Sequence, residues 1–166
     1  MRLMTEILAI YPGSFDPITN GHLDLIERSS RIFEGLTVAL LINPEKQPLF
    51  SLEERLEMAR GLTRGLANVS VDAFTGLLVD YATQRGAKVI VRGVRAFSDY
   101  EYEFQMALMN RKLAPALETI FLMPAENCTY VSSRLVKEIV RHGGNVRGLV
   151  PPLVEERLRQ KVLATH

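Results

Sequence analysis

Residues 7–22 read ILAIYPGSFDPITNGH, and this stretch decides the fold of the chain. The run Ile7–Tyr11 is almost continuously apolar, as a strand that is covered on both faces of a parallel sheet must be. A turn-rich loop follows, and Thr19 or the asparagine after it can cap a helix. Gly21 leaves space in the first turn, and His22 lies near free N–H groups that attract anions. The loop therefore predicts either a phosphate-binding site or a tight βα turn with a capping histidine.

Four further apolar runs alternate with longer amphipathic stretches along the chain. They are Leu36–Ile42, Val69–Phe74, Lys88–Val91 and Thr119–Met123. Alternation of this kind predicts a parallel sheet with helices between the strands. We therefore expect an α/β fold, a Rossmann-like doubly wound five-stranded parallel sheet of order 3-2-1-4-5 with helices on both faces. We expect a single domain that spans residues 1–166, with its ligand at the switch point between strands 1 and 4.

Capping residues predict where several helices begin. Ser51 with Glu54 has the spacing of a capping box, and Ser98 with Glu101 has the same spacing. A proline favours the first helical turn, so Pro151 and Pro152 are expected to open the last helix, which runs to about Leu163.

Composition excludes several classes of protein. The 166 residues carry a net charge of +1, which does not favour nucleic acid as a partner. Cys128 is the one cysteine, so no disulfide can form within the chain. No stretch approaches the roughly 18 apolar residues that a transmembrane helix needs. We therefore expect a cytoplasmic protein that binds neither nucleic acid nor a membrane.

Basic and polar residues follow the other strands at the same edge of the predicted sheet. Lys46 follows strand 2, Arg92 and Arg95 follow strand 4, and the polar run 127–134 follows strand 5. Because strands 2 and 4 both flank strand 1, these cations should surround His22. Each has an alternative, since Lys46 can be a solvated surface lysine and the arginines can form structural ion pairs with nearby acids. Their convergence predicts a site for polyphosphate or for several phosphates.

Several common nucleotide and metal motifs are missing from the sequence. It holds no Gly-x-x-x-x-Gly-Lys-Ser/Thr, no Gly-x-Gly-x-x-Gly after the first strand, and no Cys/His cluster with zinc spacing. Cys128 has no evident partner base, so a packed thiol is favoured over a nucleophile. Phosphates must therefore be bound by another arrangement.

Thr19-Asn20-Gly21-His22 resembles the Thr/His-x-Gly-His signature of the nucleotidylyltransferase superfamily. The longer run Tyr11–His22 resembles that of bacterial phosphopantetheine adenylyltransferases, and so do three later segments. These are Arg92–Arg95, Asp99–Glu103 and Val131–Glu138. The resemblance covers the chain from Ile7 to about Pro152.

The resemblance implies roles for individual residues. The catalytic residues would be His22, Lys46, Arg95 and Ser14, with His22 contacting the ATP phosphates and stabilising the transition state. The acceptor phosphopantetheine would be bound by Ser14, Lys46, Leu77, Leu78 and Arg92. ATP would be bound by Ser14, Phe15, His22, Gly93, Val94, Arg95, Glu103, Cys128, Thr129, Tyr130, Val131, Ser132, Ser133 and Arg134. No protein side chain would hold a metal, since Mg²⁺ would be carried by the ATP phosphates.

The implied enzyme is a nucleotidyltransferase that transfers AMP from ATP to 4′-phosphopantetheine, giving dephospho-coenzyme A and pyrophosphate in coenzyme A biosynthesis. In-line attack without a covalent intermediate is expected, because the acceptor phosphate is already an anion. A homohexamer that coenzyme A inhibits is also implied. Two alternatives stay open, an adenylyltransferase for nicotinamide mononucleotide, FMN or glycerol phosphate, and a non-catalytic nucleotide-binding module. A class I aminoacyl-tRNA synthetase fragment is disfavoured, because the chain has no Lys-Met-Ser-Lys-Ser segment.

Overall fold

Five parallel strands form one sheet in a computed structural model that describes residues 6–45 and 47–163. The strands are β1 (Leu8–Gly13), β2 (Gly35–Leu41), β3 (Val69–Phe74), β4 (Val89–Gly93) and β5 (Glu118–Leu122). Their order is β3-β2-β1-β4-β5, so the predicted fold and strand order are confirmed. β1 and β4 each run two residues past their predicted ends, since Gly13 pairs with Leu40 and Gly93 pairs with Leu122.

Helices connect the strands, and further helices follow β5. They are α1 (Asn20–Ile32), α2 (Leu52–Thr63), α3 (Leu78–Gln84), α4 (Phe97–Leu113), α5 (Ser133–Arg141) and α6 (Pro152–Leu163). A single 3₁₀ turn, Glu126–Cys128, lies between β5 and α5. None of the helices within residues 6–45 and 47–163 has the length and apolar character to cross a membrane.

The three middle strands are covered on both faces. Ile10 of β1 pairs with Ile90 of β4, and both side chains are almost fully buried. Val38 and Ala39 are neighbours on β2 and so point to opposite faces, yet both are 0% exposed. Each fully buried valine or isoleucine side chain stabilises the fold by roughly 1.5–3 kcal/mol. This two-sided burial explains the continuous apolar runs and holds the loops after β1 and β4 side by side.

Three of the four predicted helix starts are confirmed, including that of α1 after its cap Thr19, and one is wrong. Ser51 and Glu54 form a capping box, and α6 begins at Pro152. α4 instead begins at Phe97 without a side-chain cap, so Ser98 is inside the helix. The physical reason is a carboxylate one residue further on, because Asp99 reaches back and accepts the backbone N–H of Arg95 at 3.3 Å.

Candidate active site

Three cavities meet at Ser14, in the loop that leaves the carboxyl end of β1. The arginine cavity, about 370 Å³, is lined by Arg92, Arg95 and residues 131–134 among others. The polar cavity, about 380 Å³, is lined by side chains that include Asp16, Asn43, Gln47, Arg55 and Lys137. The apolar cavity, about 430 Å³, is lined by Leu77, Leu78, Tyr102, Met106 and others. Ser14 lines all three, so ligands in different cavities can approach one another beside its hydroxyl.

One ring nitrogen of His22 takes part in capping α1, and the other is left for a ligand in the adjoining cavities. The backbone N–H of Thr19 donates to Nδ1 of His22 over 3.0 Å, and the Thr19 hydroxyl accepts the backbone N–H of His22. This is a capping box with histidine at its third helical position. Because Nδ1 accepts a hydrogen bond, it carries no proton of its own, and the proton of the neutral ring is on Nε2. Within the described residues Nε2 has no hydrogen-bond partner, and the ring lines both the arginine and the polar cavity.

Electrostatics keep the His22 ring neutral. Burial is the largest cause, and the charges of Arg95 and Arg92 add to it, so that the pKa of His22 falls to about 4. At neutral pH the ring therefore offers an uncharged N–H donor and cannot act as a strong acid.

Phe15 lies under the His22 ring in a backbone conformation that is rare for its residue type. Its φ is 47°, in the left-handed region, and its side chain is 3% exposed. The Phe15 ring meets the His22 ring edge to face at 5.2 Å and the Tyr11 ring at 5.3 Å. The surrounding core fixes this arrangement, so Phe15 orients the imidazole.

Arg92 and Glu103 form a bidentate ion pair at the boundary of the arginine and apolar cavities. The two nitrogen–oxygen distances are 2.7 and 2.6 Å, and a third bond from Arg92 reaches the carbonyl of Pro12 at 3.0 Å. Burial alone would lower the pKa of Arg92, but the bonds and charge of Glu103 raise it overall. Glu103, which resemblance placed among the ATP-binding residues, thus has its carboxylate committed to orienting Arg92.

Arg95 is held in the same manner by Asp99. Its Nε lies 2.9 Å from the Asp99 carboxylate, and its Nη1 donates to the carbonyl of Val131 at 2.8 Å. The second bond ties the end of β4 to the segment before α5. Both arginines thus form ion pairs, the alternative left open from sequence, and both also line the arginine cavity.

The segment 131–134 closes the arginine cavity from the side of α5. Ser132 caps α5 by accepting the backbone N–H of Leu135, and Ser133 donates its hydroxyl proton to the carbonyl of Pro17. Arg134 lines the cavity as well. The start of α5 is therefore fastened to the β1–α1 loop, and its helix N-terminus faces the space beside His22.

The other expected site residues separate into three groups. Gly93 lines the arginine cavity, and Leu77 and Leu78 line the apolar cavity. Val94, Cys128, Thr129 and Tyr130 line none of the three cavities. Lys46 lies outside the described residues.

Those four residues have other surroundings. The backbone N–H of Val94 donates to the carbonyl of Leu122, and the Thr129 hydroxyl donates to the carbonyl of Glu126. Cys128 is 6% exposed, and burial raises the pKa of its thiol, which suits a packed residue better than a nucleophile. Tyr130 is exposed.

Sequence reasoning missed two buried charged residues of the polar cavity. Asp16 accepts the backbone N–H groups of Leu49 and Phe50 at 2.9 Å each, and forms a 2.9 Å ion pair with Lys137. Arg55 donates to the carbonyl of Ser14 at 2.8 Å. These contacts bind the β1–α1 loop to α2 and α5. The only local signal in the sequence was the position of Asp16 before Pro17 in a turn-rich loop.

Comparison with known proteins identifies the family. A family profile described as cytidylyltransferase-like matches residues 10–139. A phosphopantetheine adenylyltransferase of Desulfatibacillum aliphaticivorans is 52% identical over 160 residues, covering 96% of this chain and 91% of that protein. One of Caldanaerobacter subterraneus subsp. tengcongensis is 54% identical over 154 residues, covering 93% of this chain and 96% of that protein.

A solved structure agrees on the fold. It is a crystal structure from Vibrio parahaemolyticus assigned as a nicotinate-nucleotide adenylyltransferase, with a TM-score of 0.68 and 16% identity. The match covers 96% of this chain and 93% of that one, and at this identity it speaks for the fold alone. From its sequence relatives, the chain belongs to the cytidylyltransferase-like family and, within it, to the phosphopantetheine adenylyltransferases, which are nucleotidyltransferases.

Proposed function

We propose that this chain transfers AMP from ATP to 4′-phosphopantetheine, giving dephospho-coenzyme A and pyrophosphate, as a step of coenzyme A biosynthesis. The observation that carries the proposal is the meeting of the arginine and apolar cavities at Ser14, beside His22. The arginine cavity offers cationic and N–H donors for a nucleotide. The apolar cavity offers leucine and methionine side chains for a long acceptor arm. The hydroxyl of Ser14 is the point at which the two reacting phosphates would meet.

His22 would stabilise charge and not take a proton. The attacking group is a phosphate oxygen that is already anionic at neutral pH, so no strong general base is needed. A neutral Nε2–H, aimed at an oxygen on the α-phosphorus, would strengthen its hydrogen bond as charge builds up. Donors placed in this way contribute roughly 3–4 kcal/mol each to lowering a barrier. The attack would be in line and direct, without a covalent enzyme intermediate.

The arginines would hold two mutually repelling anions in position. Arg92, oriented by Glu103, faces both cavities and would bind the acceptor phosphate together with Lys46. Arg95, tied to Val131, would bind the nucleotide phosphates. Correct positioning of two reactants can supply roughly 7–11 kcal/mol of the barrier reduction. Each arginine is paired with a carboxylate, which holds its guanidinium in a defined orientation before substrate binds.

Mg²⁺ would enter with ATP. The cavity carboxylates Asp16, Asp99 and Glu103 are each engaged by a cation, so they are poorly placed to act as metal ligands. Mg²⁺ commonly keeps several waters and binds phosphate oxygens instead of a full protein cage. When bound, the ion would neutralise charge on the β- and γ-phosphates.

We further propose that the enzyme is a cytoplasmic homohexamer that coenzyme A inhibits. α4 exposes Tyr102, Leu108, Met109 and Leu113, each more than half exposed, and a helix apolar on so many sides is normally covered. A second copy packing on α4 would cover it. Coenzyme A carries the same pantetheine arm as the acceptor, so it would compete for the apolar cavity.

Acceptor-dependent pyrophosphate release tests this function. The purified protein is incubated with ATP and Mg²⁺, and with 4′-phosphopantetheine, nicotinamide mononucleotide, FMN or no acceptor. We expect release only with 4′-phosphopantetheine. Release with another acceptor would contradict the proposed substrate, and measurable ATP binding without release from any mixture would favour a binding module.

A further inference from the structure

Arg55 of α2 is a buried cation without an acidic partner among the described residues. It is 5% exposed, and every ion pair formed by the described residues lies elsewhere. Its Nε donates to the carbonyl of Ser51 at 3.4 Å and its Nη1 to the carbonyl of Ser14 at 2.8 Å. A charge buried without a counterion costs several kcal/mol, so such groups are normally paired.

The other described residues that line the polar cavity do not supply the missing counterion. Asp16 is the acid that lines it, and its oxygens are taken by Lys137 and by two backbone N–H groups. His22 is neutral at physiological pH. Among the described lining residues the charge of Arg55 is therefore uncompensated.

One nitrogen of the Arg55 guanidinium stays available. Nη2 has no hydrogen bond within the described residues, and it is not among the fully enclosed polar atoms that lack a partner. Nη2 is therefore not fully enclosed, and Arg55 lines the polar cavity. The guanidinium of arginine is suited to phosphate oxygens, and its Nε and Nη1 are already held by the carbonyls of Ser51 and Ser14.

We propose that Arg55 binds a phosphoryl group of one of the two substrates in the polar cavity. The inference rests on the proposed function. The phosphoryl group is either part of the pyrophosphate that leaves ATP or the phosphate of the acceptor, because both must come close to Ser14. The buried charge of Arg55 is then neutralised when substrate is present.

Calorimetric titration with two ligands, inorganic pyrophosphate and 4′-phosphopantetheine, tests the assignment. The proteins are wild type, Arg55→Met, and the control Arg157→Met, which removes an arginine from an exposed ion pair with Glu57. We expect Arg55→Met to weaken the binding of at least one ligand by about tenfold or more, as loss of a charge-assisted hydrogen bond should. Loss for pyrophosphate alone assigns the leaving group, and loss for phosphopantetheine alone assigns the acceptor.

The proposal would be overturned if folded Arg55→Met bound both ligands within twofold of the wild-type affinity. It would also be overturned if the wild-type protein bound neither ligand. If Arg55→Met does not fold by circular dichroism, Arg55→Lys takes its place and is expected to weaken binding at least threefold. Wild-type turnover with 4′-phosphopantetheine is measured in parallel. A protein that binds pyrophosphate through Arg55 but does not turn over would overturn the proposed function and keep this assignment.

Discussion

The backbone N–H of Thr19 donates to Nδ1 of His22, and this contact determines which imidazole nitrogen faces the substrates. From sequence, His22 was either a helix cap or a phosphate donor. The structure places both possibilities in one side chain, since Nδ1 completes the cap and Nε2 remains for a ligand. Capping is therefore the means by which the fold fixes the tautomer and the direction of the donor.

Replacing His22 should reduce turnover far more than ATP affinity. His22→Ala removes the Nε2–H donor, and loss of one such donor costs a factor of about 10²–10³ in kcat. The arginines that bind the phosphates stay in place, so ATP affinity should change by only a few-fold. Steady-state kinetics and ATP titration measure the two effects. His142→Ala, at an exposed histidine, is the matched control. Near wild-type turnover in His22→Ala would mean that His22 serves only to cap α1.

The low pKa of His22 predicts how stability depends on pH. In the unfolded chain the imidazole takes up a proton near pH 6.5, but in the folded protein only near pH 4. Between these values the unfolded state binds more protons, so stability is present above pH 6.5 and falls as pH falls toward 4. Denaturant unfolding at several pH values should show this loss in wild type and a smaller loss in His22→Gln. Equal slopes for the two proteins would contradict the assigned protonation state.

Gly21 should be replaceable without harm to the fold but not without harm to binding. A Cβ at this position would lie 3.5 Å from the Cβ of Cys128, an ordinary contact. Alanine favours a helix over glycine by up to about 1 kcal/mol, so Gly21→Ala should unfold at an equal or higher denaturant concentration. Gly21 lines the arginine cavity, so an added methyl group should raise the KM for ATP several-fold. A destabilised variant with an unchanged KM would mean that the glycine serves the fold alone.

Glu103 should act on the acceptor through Arg92. Glu103→Gln removes the charge of a largely buried pair and should lower the free energy of unfolding by about 1–3 kcal/mol. Arg92 would then lose its fixed orientation, so the KM for 4′-phosphopantetheine should rise by about tenfold, or roughly 1.4 kcal/mol.

The exposed pair of Arg111 and Glu118 provides the control for that change. Glu118→Gln should cost about 0–1 kcal/mol and leave both KM values unchanged. An effect of Glu103→Gln confined to the KM for ATP would return Glu103 to the nucleotide-binding role that resemblance gave it.

Leu77 offers a test of the apolar cavity. Its side chain is 57% exposed at the cavity rim, so Leu77→Asp should not unfold the protein. A carboxylate there disfavours an apolar arm, and the KM for 4′-phosphopantetheine should rise while the KM for ATP stays constant. Leu163→Asp, at a leucine 78% exposed on α6, serves as the control. Equal increases in the KM values for both substrates would mean that the acceptor arm binds elsewhere.

The sheet and the β1–α1 loop were predictable because the sequence patterns that specify them are local and strong. Two-sided burial requires continuous apolar runs, and Thr19 and Ser51 cap helices through hydroxyls only three residues from their partners. Strand order then placed Arg92 and Arg95 beside His22, since β4 lies next to β1.

The unpredicted features depend on contacts between distant parts of the chain. Arg55 belongs to a charged stretch of α2 that reads as a solvated face, yet it reaches Ser14, 41 positions away. Lys137 likewise bonds Asp16 across 121 positions. The capping box predicted at Ser98 was wrong for a local reason. Its spacing does not take account of the competing carboxylate of Asp99.

Direct transfer between the two bound substrates is tested by the stereochemistry at the α-phosphorus. One diastereomer of ATP carrying sulfur on the α-phosphate is turned over with 4′-phosphopantetheine, and the configuration of the product is determined by ³¹P NMR. A single in-line displacement predicts inversion at phosphorus. Retention would mean two successive displacements through an adenylylated enzyme, and would contradict the role given to a neutral, hydrogen-bonding His22.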